Sequence, residues 1–183
     1  MLSLLYPPSL IAASKSRQDP RDLPELSSTP NPGYRLGAND VIKVQVFGEE
    51  ALSSETRVSG DGKIALPLLG VLEIQGLTVK EIEDLITSRL ADGYLKHPRV
   101  SVYIIRYRNF FVSGEVKSPG GYPYEEGLTV LKAITLAGGF TDKAAPGRIK
   151  IKRLKDRDEL TISANLKDPI LPDDIVVVPE SFF

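Results

Sequence analysis

The chain has 183 residues, 42% hydrophobic and 26% charged, enough for one folded domain or two small ones without covalent staples. Its 23 Lys and Arg stand against 24 Asp and Glu, so charge gives no reason to expect nucleic acid or an anionic membrane surface as a partner. The absence of cysteine excludes disulfides, thiolate metal sites and thiol nucleophiles, and no run approaches the roughly 18 apolar residues of a membrane-spanning helix.

Residues 1–14 are uncharged, mostly apolar and end in small residues, like the second half of a secretory signal without its basic start. A disordered apolar tail is the alternative. "IAAS" at 11–14 has the form of a lipoprotein cleavage box with Ser14 in the place of cysteine, so lipid cannot attach there. Residues 15–33 are rich in Pro, Ser and charge and read as a flexible linker.

Folded structure is expected from Tyr34. Gly37 to Asp40 supplies a turn, and the alternation over 41–47 predicts a strand. "ETRVSGDGKIALPLLG" (55–70) reads as a hairpin turning at Asp61-Gly62, with Pro67 confining any ladder to an edge or bend. "GVLEIQG" is another short strand. Thr78 and Glu81 have capping-box spacing, Val79, Ile82, Leu85, Ile86 and Leu90 share a helical face, and Gly93 ends the helix. "RVSVYIIRYRNFFVSGEV" (99–116) predicts two strands meeting near Arg108-Asn109. Beyond it come a Pro-Gly-Gly turn, a short strand, a second helix entered at Thr129, and strands at "RIKIKRL", "ELTISANL" and "DDIVVVPE".

Two phrases recur. Val-Ser-Gly stands at 58–60 and 112–114, and Gly-Leu-Thr-Val at 76–79 and 127–130. The repetition predicts a duplicated strand–turn–strand–helix unit, and so an α+β protein. The plainer account is that Gly-Leu-Thr-Val is simply good helix-entry chemistry.

Motifs for catalysis are weak. His97 beside Pro98 reads as a surface connector, and the pattern holds no metal-ligand spacing. "GDGK" lacks the four-residue spacing and the hydroxyl of a phosphate loop. Asp173-Asp174 and Glu125-Glu126 are adjacent, so on a strand their side chains diverge and form no acid–base couple. No catalytic residue, metal or cofactor is assigned. Phe110, Phe111, Tyr122 and Tyr124 lie near glycines, which suits sugar contact, subunit contact or an ordinary core equally.

Residues 34–48, 58–86 and 97–104 resemble the polysaccharide biosynthesis/export domain of Wza-type outer-membrane exporters, and 110–144 resembles the SLBB domain, a β-grasp module. "ILPDDIVVVPESFF" is similar to that family's closing strand. The resemblance implies an export domain at 34–108 with a small mixed sheet and one helix, then an SLBB domain with closing strand at 109–183. It further implies a non-enzymatic ring of copies in the Gram-negative periplasm, associated with the outer membrane, through which capsule or exopolysaccharide leaves the cell. Its implied partners are the polysaccharide chain and an inner-membrane polysaccharide co-polymerase, with no nucleic acid. One SLBB module, and no amphipathic helix after the last strand, imply a short component that relies on a separate outer-membrane pore protein. Candidate polymer-path or ring-contact residues are Ser59, Gly60, Asp61, Gly62, Lys63 and Pro67 in the first domain, and Gly114, Pro119, Gly120, Gly121 and Tyr122 in the second. The alternative function is a monomeric periplasmic protein that binds a saccharide or another soluble ligand.

Overall fold

The computed structural model describes residues 33–155 and 158–181. The signal-like stretch 1–14 and nearly all of the linker at 15–33 lie outside the described residues. The first half contains strands β1 (Val41–Val46), β2 (Ser54–Arg57), β3 (Lys63–Leu66) and β4 (Gly70–Glu73), helix α1 (Val79–Ala91) and strand β5 (Val100–Arg106). β1 is central in an antiparallel sheet of order β2-β1-β5. Its alternation sends Ile42, Val44 and Val46 into the core and Lys43 and Gln45 to solvent.

The expected 55–70 hairpin is corrected. β2 pairs with β1, and β3 pairs instead with β4, so 59–63 connects two separate ladders. The cause is local: Val58 is tied back by bonds between Asn39 N–H and its carbonyl and between its own N–H and the Asp40 carbonyl, both 2.9 Å. The chain then turns, with Gly62 at φ 78° as the sequence predicts. Pro67 sits in the β3–β4 bend, where Leu68 takes φ 63°.

α1 begins at a complete capping box. The Glu81 N–H donates to Thr78 Oγ1, and the Thr78 N–H donates to Glu81 Oε2 at 2.7 Å. Ile82, Ile86 and Leu90 are buried against the sheet, each burial being worth roughly 1.5–3 kcal/mol.

The second half contains β6 (Phe110–Gly114), β7 (Gly120–Tyr122), α2 (Val130–Leu136), β8 (Lys150–Lys155), β9 (Asp158–Ser163) and β10 (Ile175–Val178). They form one five-stranded sheet of order β7-β6-β10-β8-β9, in which only β6 and β10 run parallel. α2 covers it with Val130, Ala133 and Ile134. The expected Pro-Gly-Gly turn is shifted: Gly120 and Gly121 lie in β7, opposite Val112 and Phe111. A Cβ on Gly121 would stand 2.9 Å from the Phe111 ring, so packing selects glycine in that strand.

The two hydrophobic cores share no residue. Of the repeated phrases, only the second is a structural repeat. Thr78 and Thr129 both N-cap a helix whose first residue is the following Val. Val58-Ser59-Gly60 enters a turn, whereas Val112-Ser113-Gly114 ends a strand paired in parallel with β10. Overall the protein is α+β.

Candidate functional site

The residues joining β5 to β6 meet the turn before β1, and charge organises this junction. Asp40 is fully buried, at 0% exposure. Its carboxylate accepts from the Gly37 N–H (2.9 Å), the Arg108 N–H (2.7 Å), the Tyr34 hydroxyl (2.7 Å) and Arg108 Nη1 (3.0 Å). A buried charge is tolerated only with this kind of satisfaction. Arg108 also donates from Nε to Asp173 Oδ2 at 2.6 Å, so one guanidinium ties the turn before β1 to the turn before β10. Tyr34 lies edge-on to Tyr107, which lies edge-on to Tyr124, with centroids 4.9 and 5.4 Å apart. Burial pushes the Tyr34 and Tyr107 hydroxyls well above the usual phenol range, so both stay neutral donors, Tyr107 toward Glu126.

Asp174, the neighbour of Asp173, is also buried and receives a two-point grip from Arg153 at 2.8 and 2.6 Å. The adjacent acids do have different partners, but they lie in the turn before β10, where Asp173 takes φ 70°, so the turn and not strand alternation separates them.

Beside this junction opens a cleft of about 480 Å³ lined by Asn39, Arg57, Arg106, Arg108, Asn109 and Phe111, among others. It holds three guanidiniums, two side-chain amides, the Tyr107 and Phe111 rings and the Asp173 carboxylate. Its three arginines outnumber its one lining carboxylate, which suits recognition of polar and anionic groups.

The eleven residues singled out from sequence do not line this cleft. Ser59 to Lys63 form a self-contained turn: the one Ser59 hydroxyl proton is shared between Asp61 and the Lys63 carbonyl, Ser59 Oγ accepts from the Lys63 N–H, and Lys63 Nζ pairs with Asp61 at 2.8 Å. Pro67 lies in the neighbouring β3–β4 bend. Gly114, Gly120, Gly121 and Tyr122 belong to the second sheet, with Pro119 just before β7; Tyr122 stacks on buried Phe110. The two sets therefore stand against different cores. What sequence reasoning missed was Asp40, Arg57, Arg106, Arg108 and Asp173. The available signal was polar punctuation: Asp40 immediately before an apolar strand, and Arg106 to Asn109 interrupting an apolar run.

Hydrogen bonds from Lys63 and then Ser59 hold the Asp61 carboxyl down at about 2. A depressed carboxylate contributes stability above its unfolded value, near 4, and that contribution is lost as pH falls through about 2. In an NMR titration the Asp61 carboxyl should have its midpoint near 2, moving up toward 4 in Lys63→Ala; an unshifted midpoint in the parent protein would refute the turn's geometry.

Comparison with known proteins fits this two-core arrangement. Residues 28–105 match the family described as polysaccharide biosynthesis/export protein, and residues 109–162 match the SLBB domain. The chain carries a polysaccharide biosynthesis/export domain followed by an SLBB domain. Arg108, which bridges the cores, falls between the two matched segments. The chain is 39% identical over 119 residues to the exopolysaccharide production protein ExoF of Rhizobium meliloti (strain 1021), covering 58% of this chain and 28% of that protein. It is 27% identical over 200 residues to the EPS I polysaccharide export outer membrane protein EpsA of Ralstonia solanacearum, covering 93% of this chain and 52% of that one. With the polysialic acid transport protein KpsD of Escherichia coli it shares 28% identity over 111 residues, 60% of this chain and 20% of the relative. The matched region thus spans at most about half the length of these relatives.

Proposed function

We propose that this chain is a component of a capsule or exopolysaccharide export machine in the Gram-negative envelope. In this reading it is associated with the outer membrane on its periplasmic side. The observation that carries the reading is the succession of an export-domain match over 28–105 and an SLBB match over 109–162 in one chain. Three relatives whose names specify production, export or transport of polysaccharide support it.

The protein guides the polymer and makes or breaks no bond in it. Copies assemble as a ring, working with an inner-membrane polysaccharide co-polymerase. The β3–β4 hairpin and α2 expose Leu68, Val71, Leu131 and Leu136, apolar groups suited to being covered by a neighbouring copy. The Ser59–Lys63 turn, Pro67 and the stretch from Gly114 to Tyr122 remain candidates for ring or polymer contact. A moving polymer requires weak contacts repeated over many copies, because tight binding at one site would stop its passage.

Deleting the gene in its source organism should leave polymer synthesis intact and trap the polymer in the periplasm, with reintroduction of the gene restoring release. Undiminished surface polysaccharide in the deletion strain would overturn the reading.

A further inference from the structure

The cleft holds two arginines that the junction does not use. β2 and β5 flank β1, and Arg57 and Arg106 are both Cα partners of Val41. They therefore stand on one face of the sheet, on either side of a single residue, with Cα atoms roughly 10 Å apart across two strand spacings. A register shift between Val41 and Ile42 produces this: it places Arg106 opposite Val41 after Ile104 has paired with Ile42. Bulges of this kind commonly re-aim a side chain near a site.

Val41 points away from the core that receives Ile42, Val44 and Val46, yet it is only 6% exposed. The floor between the arginines is thus apolar and covered. Both arginines are exposed, and neither has a carboxylate partner among the described residues, whereas Arg108 is held by Asp40 and Asp173. Counting the buried Asp40 behind Arg108, the charged groups around the cleft keep one net positive charge. Asn39, Asn109, the Phe111 ring (44% exposed), Tyr107, Pro123 and Asp173, whose carboxylate is paired with Arg108, complete the lining.

We propose that this cleft binds a carboxylate-bearing sugar unit of the transported polymer. Arg57 and Arg106 hold the carboxylate, Phe111 packs on the C–H face of the ring, and Asn39 and Asn109 hydrogen-bond its hydroxyls. The inference rests on the export reading above and adds the substrate class: an acidic polysaccharide. Guanidinium is the side chain suited to planar, two-point contact with carboxylate. Because both arginines face solvent, the grip is weak and screened by salt, as a moving chain requires.

The test titrates the full chain at low salt with an oligoglucuronate, a neutral oligoglucose of equal length, and inorganic phosphate, followed by NMR shifts of the cleft residues. The acidic oligosaccharide should bind about tenfold more tightly than the neutral one. The Arg57→Gln/Arg106→Gln double variant should lose about that factor for the acidic ligand alone, with its urea midpoint unchanged. Equal binding of the acidic and neutral oligomers, an unaffected double variant, or inorganic phosphate competing as well as the oligoglucuronate would overturn the proposal. Returning the double variant to the deletion strain separates the two readings. If deletion blocks release but the variant exports an acidic polymer at the normal rate, the cleft proposal fails and the export reading stands. If deletion leaves release intact, the export reading itself fails.

Discussion

Replacing Arg108 with alanine is expected to destabilise the protein by about 3–5 kcal/mol, because it strands a buried carboxylate. Asp40 is completely enclosed, and Arg108 supplies its only cationic partner among the described residues. The Arg108 N–H bond to Asp40 survives the substitution, as do those from Gly37 and Tyr34, but three neutral donors do not replace a charge in a low-dielectric setting. Asp173 is also released, but it is largely exposed, so its loss adds little. The effect should appear as a lower urea midpoint by circular dichroism. Arg106→Ala, at an exposed position with no ion-pair partner among the described residues, should stay within about 0.5 kcal/mol of the parent. Asp40→Asn should recover part of the loss in the Arg108→Ala background, since a neutral amide in that site needs no cation. If Arg108→Ala costs less than about 1 kcal/mol, the junction is not held by charge.

Gly114→Ala should be comparably damaging for a different reason. Gly114 adopts φ 86°, and a Cβ built there would lie 2.0 Å from the Val178 carbonyl oxygen on β10. The positive φ alone costs an alanine about 1–3 kcal/mol. The overlap with backbone must also be relieved by opening β6 and β10, the central pair of the second sheet. A total loss of about 4 kcal/mol is expected, read as a fall in midpoint and loss of amide protection on Val176 and Val178. Gly60 is the control: nothing lies within 4 Å of its built Cβ and its φ is ordinary, so Gly60→Ala should be nearly silent. Preserved amide protection on β10 in Gly114→Ala would contradict the close approach.

Legibility in the sequence followed the range of the interactions. α1 was readable because its cap and its apolar stripe are both local: Thr78 meets Glu81 three residues on, and Ile82, Ile86 and Leu90 recur at helical spacing. β1 was readable from its strict alternation. The partner choice of β2 was not, because it depends on backbone bonds between Asn39, Asp40 and Val58 rather than on the inviting Asp61-Gly62 turn. The junction was invisible for the same reason, since Asp40 and Arg108 are 68 residues apart. Arg57 and Arg106 carry no motif; only the bulge in β5 brings them to either side of Val41. Export as a function came from likeness to a family over long stretches, not from any cluster of reactive groups.

The most direct measurement incubates the full chain with a long acidic polysaccharide, polyglucuronate, and follows both retention and chain length. Weak, salt-sensitive retention with polymer recovered at unchanged length is the predicted result. Shortened polymer, or no retention at any ionic strength, would contradict the account of a protein that holds and passes its polymer without cutting it.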